Sequence, residues 1–371
     1  MNRQIRPGGH GKPAPAKPGL AARQAAAALV GRVIDDRRSL EALADDTSGM
    51  AAYRALDPRD RSLARAIAVT ALRHRGEIGR ALARMLDRRP PQKARHLLHT
   101  LDIAAAQILY MDVPQSAAVD LAVTSISADP RTQRFSSMAN AVLRRLAREK
   151  EDILALPSDA ATVFPQWLAA ELRRDHGRDN ADAIARAILF EPVIDITPSP
   201  RLSQAQVSGL AASMDARILP TGSLRLTSAM PVRELPGYVD GTWWVQDAAS
   251  ALPVRLLGDV AGRKVADLCA APGGKTAQLA AMGAHVTAVD ISPDRLDRLR
   301  ENIARLRLSA EVVAADILEW QPEDKFHAVL LDAPCSSTGT IRRHPDVMWT
   351  KSTEDVAALA DLQMRLIRRA A

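Results

Sequence analysis

The sequence predicts two unlike folds in one chain: an all-α domain, then an α/β domain built on a parallel, doubly wound sheet. Two patterns predict this. From about residue 20 to 150, apolar side chains recur at helical spacing. From residue 264 onward, short β-branched runs alternate with amphipathic stretches, the order of successive βαβ units. At 371 residues the chain also has room for two or three cores.

The composition is that of a globular protein, 47% hydrophobic and 25% charged. No apolar run approaches the ~18 residues of a membrane span. Ala25–Val30 follows a basic start, but Arg23 and Gln24 cut into it and Arg32 and Asp35-Asp36 follow at once. That pattern predicts an amphipathic first helix rather than a signal peptide. The only cysteines, Cys269 and Cys335, both fall inside motifs, which predicts a reducing cytoplasm and no disulfide framework. A monomer is expected, with no membrane partner and no metal.

Charge is unevenly spread. Residues 1–240 hold 34 Lys and Arg against 26 Asp and Glu, a net of +8, while residues 241–371 hold 16 against 17. The basic part suits a polyanion, RNA above all. Residues 1–18, with four prolines, three glycines and four basic residues but no acid, read as a disordered basic tail.

Residues 19–150 read as the helical domain. Asp57-Pro58 supplies an N-cap and a first-turn proline for a helix through Thr70. Ile78, Leu82 and Leu86 form an apolar face, with Arg75, Arg80 and Arg84 between them. Pro90-Pro91 breaks the chain before helices expected at about 93–111, 114–127 and 135–149. Residues 151–240 read as a mixed connecting region, with a helix led by Phe164–Leu168 and then short β-like pieces. Trp243-Trp244-Val-Gln-Asp247 opens the last domain, 241–371, its tryptophans read as packing residues. There, strands are expected at 264–269, 285–290, 311–315 and 328–332. Ser292-Pro293 caps a helix carrying Leu296, Leu299, Ile303 and Leu306, and a last helix runs through Leu359, Leu362 and Leu366.

The chemistry gathers at the strand ends. Gly273-Gly274-Lys275-Thr276 lacks the first glycine of a phosphate-binding loop, since Cys269 stands there, and the GxGxxG dinucleotide fingerprint is missing. What remains is Asp267, a Gly-rich turn, and Asp290 about 20 residues on, placed to accept hydrogen bonds from ribose hydroxyls. Asp316, after the third strand, can meet an adenine amino group. An adenosyl ligand without phosphate fits this set, and S-adenosyl-L-methionine is the leading candidate.

Cys269-Ala-Ala-Pro-Gly-Gly-Lys275 together with Asp332-Ala-Pro-Cys335 resembles the RNA cytosine-5 methyltransferases. The helical half resembles the NusB-like RNA-binding domain in the Ala64–Arg75 helix, Met111-Asp-Val-Pro114 and Asn140-Ala-Val-Leu-Arg144. Thr340-Ile-Arg-Arg-His-Pro-Asp346 and Trp349 extend the likeness, which narrows to the bacterial 16S rRNA enzymes of the Sun/Fmu type. The resemblance implies a NusB-like domain joined to a Rossmann-like methyltransferase domain. It also implies S-adenosyl-L-methionine bound by Cys269, Ala270, Ala271, Pro272, Gly273, Gly274, Lys275, Asp290, Asp316 and Asp332, with 16S rRNA as partner. Asp332 and Cys335 are the catalytic candidates, Asp332 at N3 of the cytosine and Cys335 as the thiol nearest it.

In that family a second cysteine, in a Thr-Cys motif on a later strand, attacks the base, while the Pro-Cys cysteine helps release product. No cysteine follows Cys335 here, and the expected sheet is incomplete at four strands. Three readings stand open: a truncated chain, a catalytically silent RNA-binding protein, or attack by Cys335 itself. The first two leave these residues with little or no transfer activity.

Overall fold

A computed structural model describes residues 17–88, 90–91, 94–227 and 231–371. The chain forms two compact units, Met1–Phe190 with Ser337–Thr353, and Glu191–Ser336 with Glu354–Ala371. Most of the expected basic tail lies outside the described residues.

The first unit is helical. Its main helices are Leu20–Asp36, Pro58–Arg73, Arg75–Met85, Arg95–Tyr110, Gln115–Ala128, Ser136–Arg148 and Gln166–Ile188, the last kinked at Gly177. Arg95–Tyr110 is the central rod, buried along most of its length and packed on Leu20–Asp36, Pro58–Arg73, Gln115–Ala128 and Ser136–Arg148. The alanines of the first helix (Ala22, Ala25, Ala26 and Ala27) are buried and let neighbouring backbones approach closely. Asp57 caps as expected, accepting from the Asp60 N–H at 2.8 Å, and its helix runs on to Arg73. Ile78 and Leu82 are buried and Leu86 half-buried, so the four-residue stripe faces the core.

Residues 337–353 were expected with the last domain, yet they belong to this helical unit. Ile341 and Met348 are buried with Val163, Phe164 and Leu168. The Trp349 indole N–H donates to the Leu72 carbonyl at 2.9 Å, and Asp346 Oδ2 accepts from the Leu40 N–H at 2.9 Å. Arg73, 3% exposed, donates to the carbonyls of Ile188 and Arg342 at 2.9 and 2.7 Å. The expected connecting region is likewise divided: Ala160–Val163 and Gln166–Ile188 pack in the helical unit, and the strands from Asp195 onward in the other.

The second unit holds two sheets. Strands β1 (Asp195–Pro198), β2 (Ala216–Ile218), β3 (Leu224–Leu226) and β4 (Trp243–Val245) form a small antiparallel sheet in the order β2-β3-β1-β4. Helix Gln204–Ser213, opened by a Ser203/Gln206 capping box, packs Ala211 against Ile196, Leu224, Leu226 and the fully buried Trp243. Strands β5 (Lys264–Leu268), β6 (His285–Asp290), β7 (Glu311–Ala314) and β8 (Ala328–Leu331) form the parallel sheet, in the order β7-β6-β5-β8. On one face, helices Gly274–Ala281 and Pro293–Arg305 bury Ala277, Leu279, Leu296 and Leu299. On the other, Leu366 of helix Thr353–Ala370 packs with Ala266, Leu268 and Val289. Among the described residues, no helix is long and apolar enough to cross a membrane.

Candidate cofactor and catalytic site

Parallel pairing brings the two motifs together. Leu268 at the end of β5 pairs with Val289 of β6 and with Leu331 of β8, so the segments that follow all three strands emerge on one edge. Ligands of doubly wound sheets bind at that carboxyl edge. A cavity of about 860 Å³, lined in part by Lys264, His285 and Glu311, opens at the opposite ends of the strands.

After β5 the chain turns sharply. Cys269 has φ +61°, the Ala271–Pro272 peptide is cis, and Gly273 has φ +99°. A Cβ on Gly273 would stand 2.7 Å from Leu299 Cγ, so both the conformation and the close approach require glycine. The Ala270 N–H donates to the Val289 carbonyl at 3.1 Å, and Asn302 Nδ2 to the Pro272 carbonyl at 3.3 Å.

Asp290 clasps this turn. Its Oδ2 accepts from the Ala271 N–H at 3.1 Å and its Oδ1 from the Ser292 N–H at 3.0 Å, and the residue is 2% exposed. Arg295 lies 3.5 Å from the same carboxylate and also donates to the Ala271 carbonyl. Asp290 therefore builds the turn, a role that spacing alone did not reveal. Each carboxylate oxygen keeps a further lone pair.

Asp267, fully buried, accepts the Thr276 hydroxyl at 2.6 Å on Oδ2, while Oδ1 has no partner. Burial pushes its carboxyl up to about 7, against the pull of the Thr276 hydrogen bond. Burial, reinforced by Asp290 and Asp332, likewise pushes the Cys269 thiol up to about 11, which keeps it neutral and unreactive. Asp316 Oδ1 accepts from the Leu318 N–H at 2.9 Å in a turn after β7.

Lys275 joins the motifs directly, its Nζ donating to Asp332 Oδ2 at 2.6 Å. Asp332 is exposed, anchored by its own N–H to the Leu268 carbonyl at 3.1 Å. Cys335, three residues on, is exposed as well. Beneath the turn runs a buried relay that the sequence did not point to. Trp244 donates to Gln246 at 2.9 Å, Gln246 to Gln278 at 3.1 Å, and Gln278 to the Ala251 carbonyl at 2.9 Å. Gln246 lay within the noted Trp243–Asp247 segment, but a lone glutamine carries no pattern.

The side chains gathered here are rich in acceptors (Asp267, Asp290, Asp316 and Asp332), and the two cations, Lys275 and Arg295, are tied to carboxylates. Such a set repels polyphosphate and suits a ligand offering hydroxyls, an amino group and positive charge. It fits S-adenosyl-L-methionine, and the unpartnered oxygen on Asp267 is consistent with that fit.

A helical unit joined to a parallel sheet with an acid-lined turn at its carboxyl edge defines a two-domain enzyme of the nucleoside-cofactor class. Residues 254–371 match the model of the 16S rRNA methyltransferase RsmB/F family, and residues 20–148 that of the NusB family. Ribosomal RNA small subunit methyltransferase B of Serratia proteamaculans is 33% identical over 358 residues, covering 93% of this chain and 82% of that protein. Its counterpart from Xanthomonas campestris is 36% identical over 364 residues, covering 94% and 80%. The crystal structure of PH0851 shares the fold, with a TM-score of 0.67 at 21% identity over 96% of this chain and 83% of that one. NSun6 from Pyrococcus horikoshii, solved with SFG, gives 0.50 at 19% identity over 56% and 79%. The chain belongs to the 16S rRNA methyltransferase RsmB/F family, which sets aside the reading of a merely RNA-binding protein.

Proposed function

We propose that the protein methylates C5 of a cytosine in 16S rRNA, using S-adenosyl-L-methionine, as a monomer in the cytoplasm where that RNA resides. The observation that carries this reading is the Lys275–Asp332 bridge, which sets the acid-lined turn beside the Asp332–Cys335 loop. In this reading Cys269–Lys275, Asp290, Asp316 and Asp332 hold the cofactor. When bound, the cofactor supplies an electrophilic methyl group.

Cytosine C5 is a weak nucleophile. A thiolate joined to C6 would push electrons to C5, which could then take the methyl carbon as its bond to the sulfonium sulfur breaks and the sulfur leaves with that electron pair as a neutral thioether. A base then removes the C5 proton, and cleavage of the C6–S bond restores the ring. Asp332 serves N3, where protonation or hydrogen bonding stabilises the adduct, and Lys275 keeps its carboxylate in place. Cys335 is the exposed thiol three residues away, the Pro-Cys cysteine that in this family helps release product, while Cys269 is kept neutral.

Calorimetry with two ligands tests the choice of cofactor. S-Adenosyl-L-methionine should bind and ATP should not compete, because the site offers a triphosphate only carboxylates and paired cations. Equal binding of ATP would overturn the reading.

A further inference from the structure

The 340–349 motif is not used by the methyl-transfer chemistry, yet its Trp349 lines a cavity of about 450 Å³ in the helical unit. The other walls come from helix Arg75–Met85 and the residue that follows it, and from Leu98 and Asp102 of helix Arg95–Tyr110. Leu82, Leu86 and Leu98 make the cavity apolar along its sides. Its polar element is Asp102, 6% exposed and paired with Arg75, whose guanidinium carbon lies 5.6 Å from the Trp349 ring centroid. Gly79 leaves it open, since a Cβ there would meet nothing within 4 Å. A glycine inside a helix is destabilising, so this helix gives up both a side chain and some stability where the cavity has its room.

We propose that this cavity receives one unpaired nucleobase of the RNA substrate, an inference that rests on the reading of the protein as an rRNA methyltransferase. Its volume lies within the range of about 300–1,000 Å³ that encloses a small organic ligand. Apolar walls beside an aromatic ring suit a base, which single-strand readers hold by stacking and by hydrogen bonds along its edge. The Arg75–Asp102 pair offers both a donor and an acceptor, matching the mixed edge that every base carries. Arg75 and Leu98 also line an adjoining cavity of about 420 Å³ with Arg95, His99 and Asp35, whose carboxylate pairs with both, so polar surface continues alongside. An apolar protein side chain would leave the polar pair unserved and make no use of the +8 charge on residues 1–240.

Gly79→Phe in the full chain tests the proposal, because the ring fills the cavity without removing any charge. Gly79→Ala is the control, improving the helix while leaving most of the space. Binding of a labelled, mixed-sequence single-stranded 12-nucleotide RNA would be read by fluorescence anisotropy at several salt concentrations. Gly79→Phe should weaken binding roughly ten-fold with an unchanged salt slope, the mark of lost stacking rather than lost phosphate contacts. Gly79→Ala should bind like the wild type, and both should melt at or above the wild-type temperature. With 4-thiouridine in the RNA, crosslinks should map to residues 79–86, 98–102 or 349. Wild-type affinity in Gly79→Phe, or crosslinks only elsewhere, would overturn the proposal while leaving the methyltransferase reading intact. Failure of the wild type to bind RNA at all would overturn both.

Discussion

Replacing Asp267 with asparagine probes the electrostatics beneath the cofactor turn. The Asp267 carboxyl is fully buried and pushed up from the ordinary 3.8 to about 7, chiefly by loss of water. Between those two values the folded protein keeps a proton that the unfolded chain has released. Stability from this group is therefore complete below about 3.8, falls as pH rises, and levels off above about 7. At about 1.4 kcal/mol per pH unit, the window of roughly three units amounts to about 4 kcal/mol. Asparagine cannot ionise, so the variant lacks this slope, while every other titrating group is common to both proteins and cancels in the comparison. Its amide oxygen can still accept the Thr276 hydroxyl. Its amino group would take the place of the unpartnered Oδ1, at a pH-independent cost of roughly 1–3 kcal/mol. The variant should therefore be the weaker protein near pH 4 and the stronger near pH 8. Urea unfolding followed by tryptophan fluorescence, with Trp243, Trp244 and Trp320 in the same unit, measures the difference across that range. Parallel stability curves for the two proteins would refute the reasoning.

Asp290→Ala should lower cofactor affinity about ten-fold and also destabilise the protein by about 2–3 kcal/mol, because the Ala271 and Ser292 N–H groups lose their acceptor. Calorimetry and thermal melting read the two effects, and unchanged affinity would remove Asp290 from the site. RNA affinity should fall steeply with salt, since Arg-to-phosphate contacts release counterions, and it should reside in residues 1–240, where the net charge is +8. Binding without salt dependence would reduce the basic half to a solvated surface.

Much of the fold was legible because it is written in local pattern. Helical periodicity located Arg95–Tyr110, Gln115–Ala128 and Ser136–Arg148 to within a residue or two, and Asp57-Pro58 and Ser292-Pro293 marked helix starts that the structure caps as expected. The order of strand and helix announced the parallel sheet, and its pairing brings Lys275 to Asp332 across 57 residues. What stayed hidden depends on pairs of distant segments. Residues 337–353 join the helical unit because Asp346 meets Leu40 and Trp349 meets Leu72, 306 and 277 residues away. The Gln246–Gln278 relay and the clasping role of Asp290 are polar matches made in three dimensions, and no spacing rule encodes them.

Transfer of a labelled methyl group from S-adenosyl-L-methionine to 16S rRNA, followed by digestion to nucleosides, tests the central claim most directly. Wild-type protein should place the label in 5-methylcytidine. Cys335→Ala should lower that turnover. Label in any other nucleoside, or undiminished transfer by Cys335→Ala, would contradict the account.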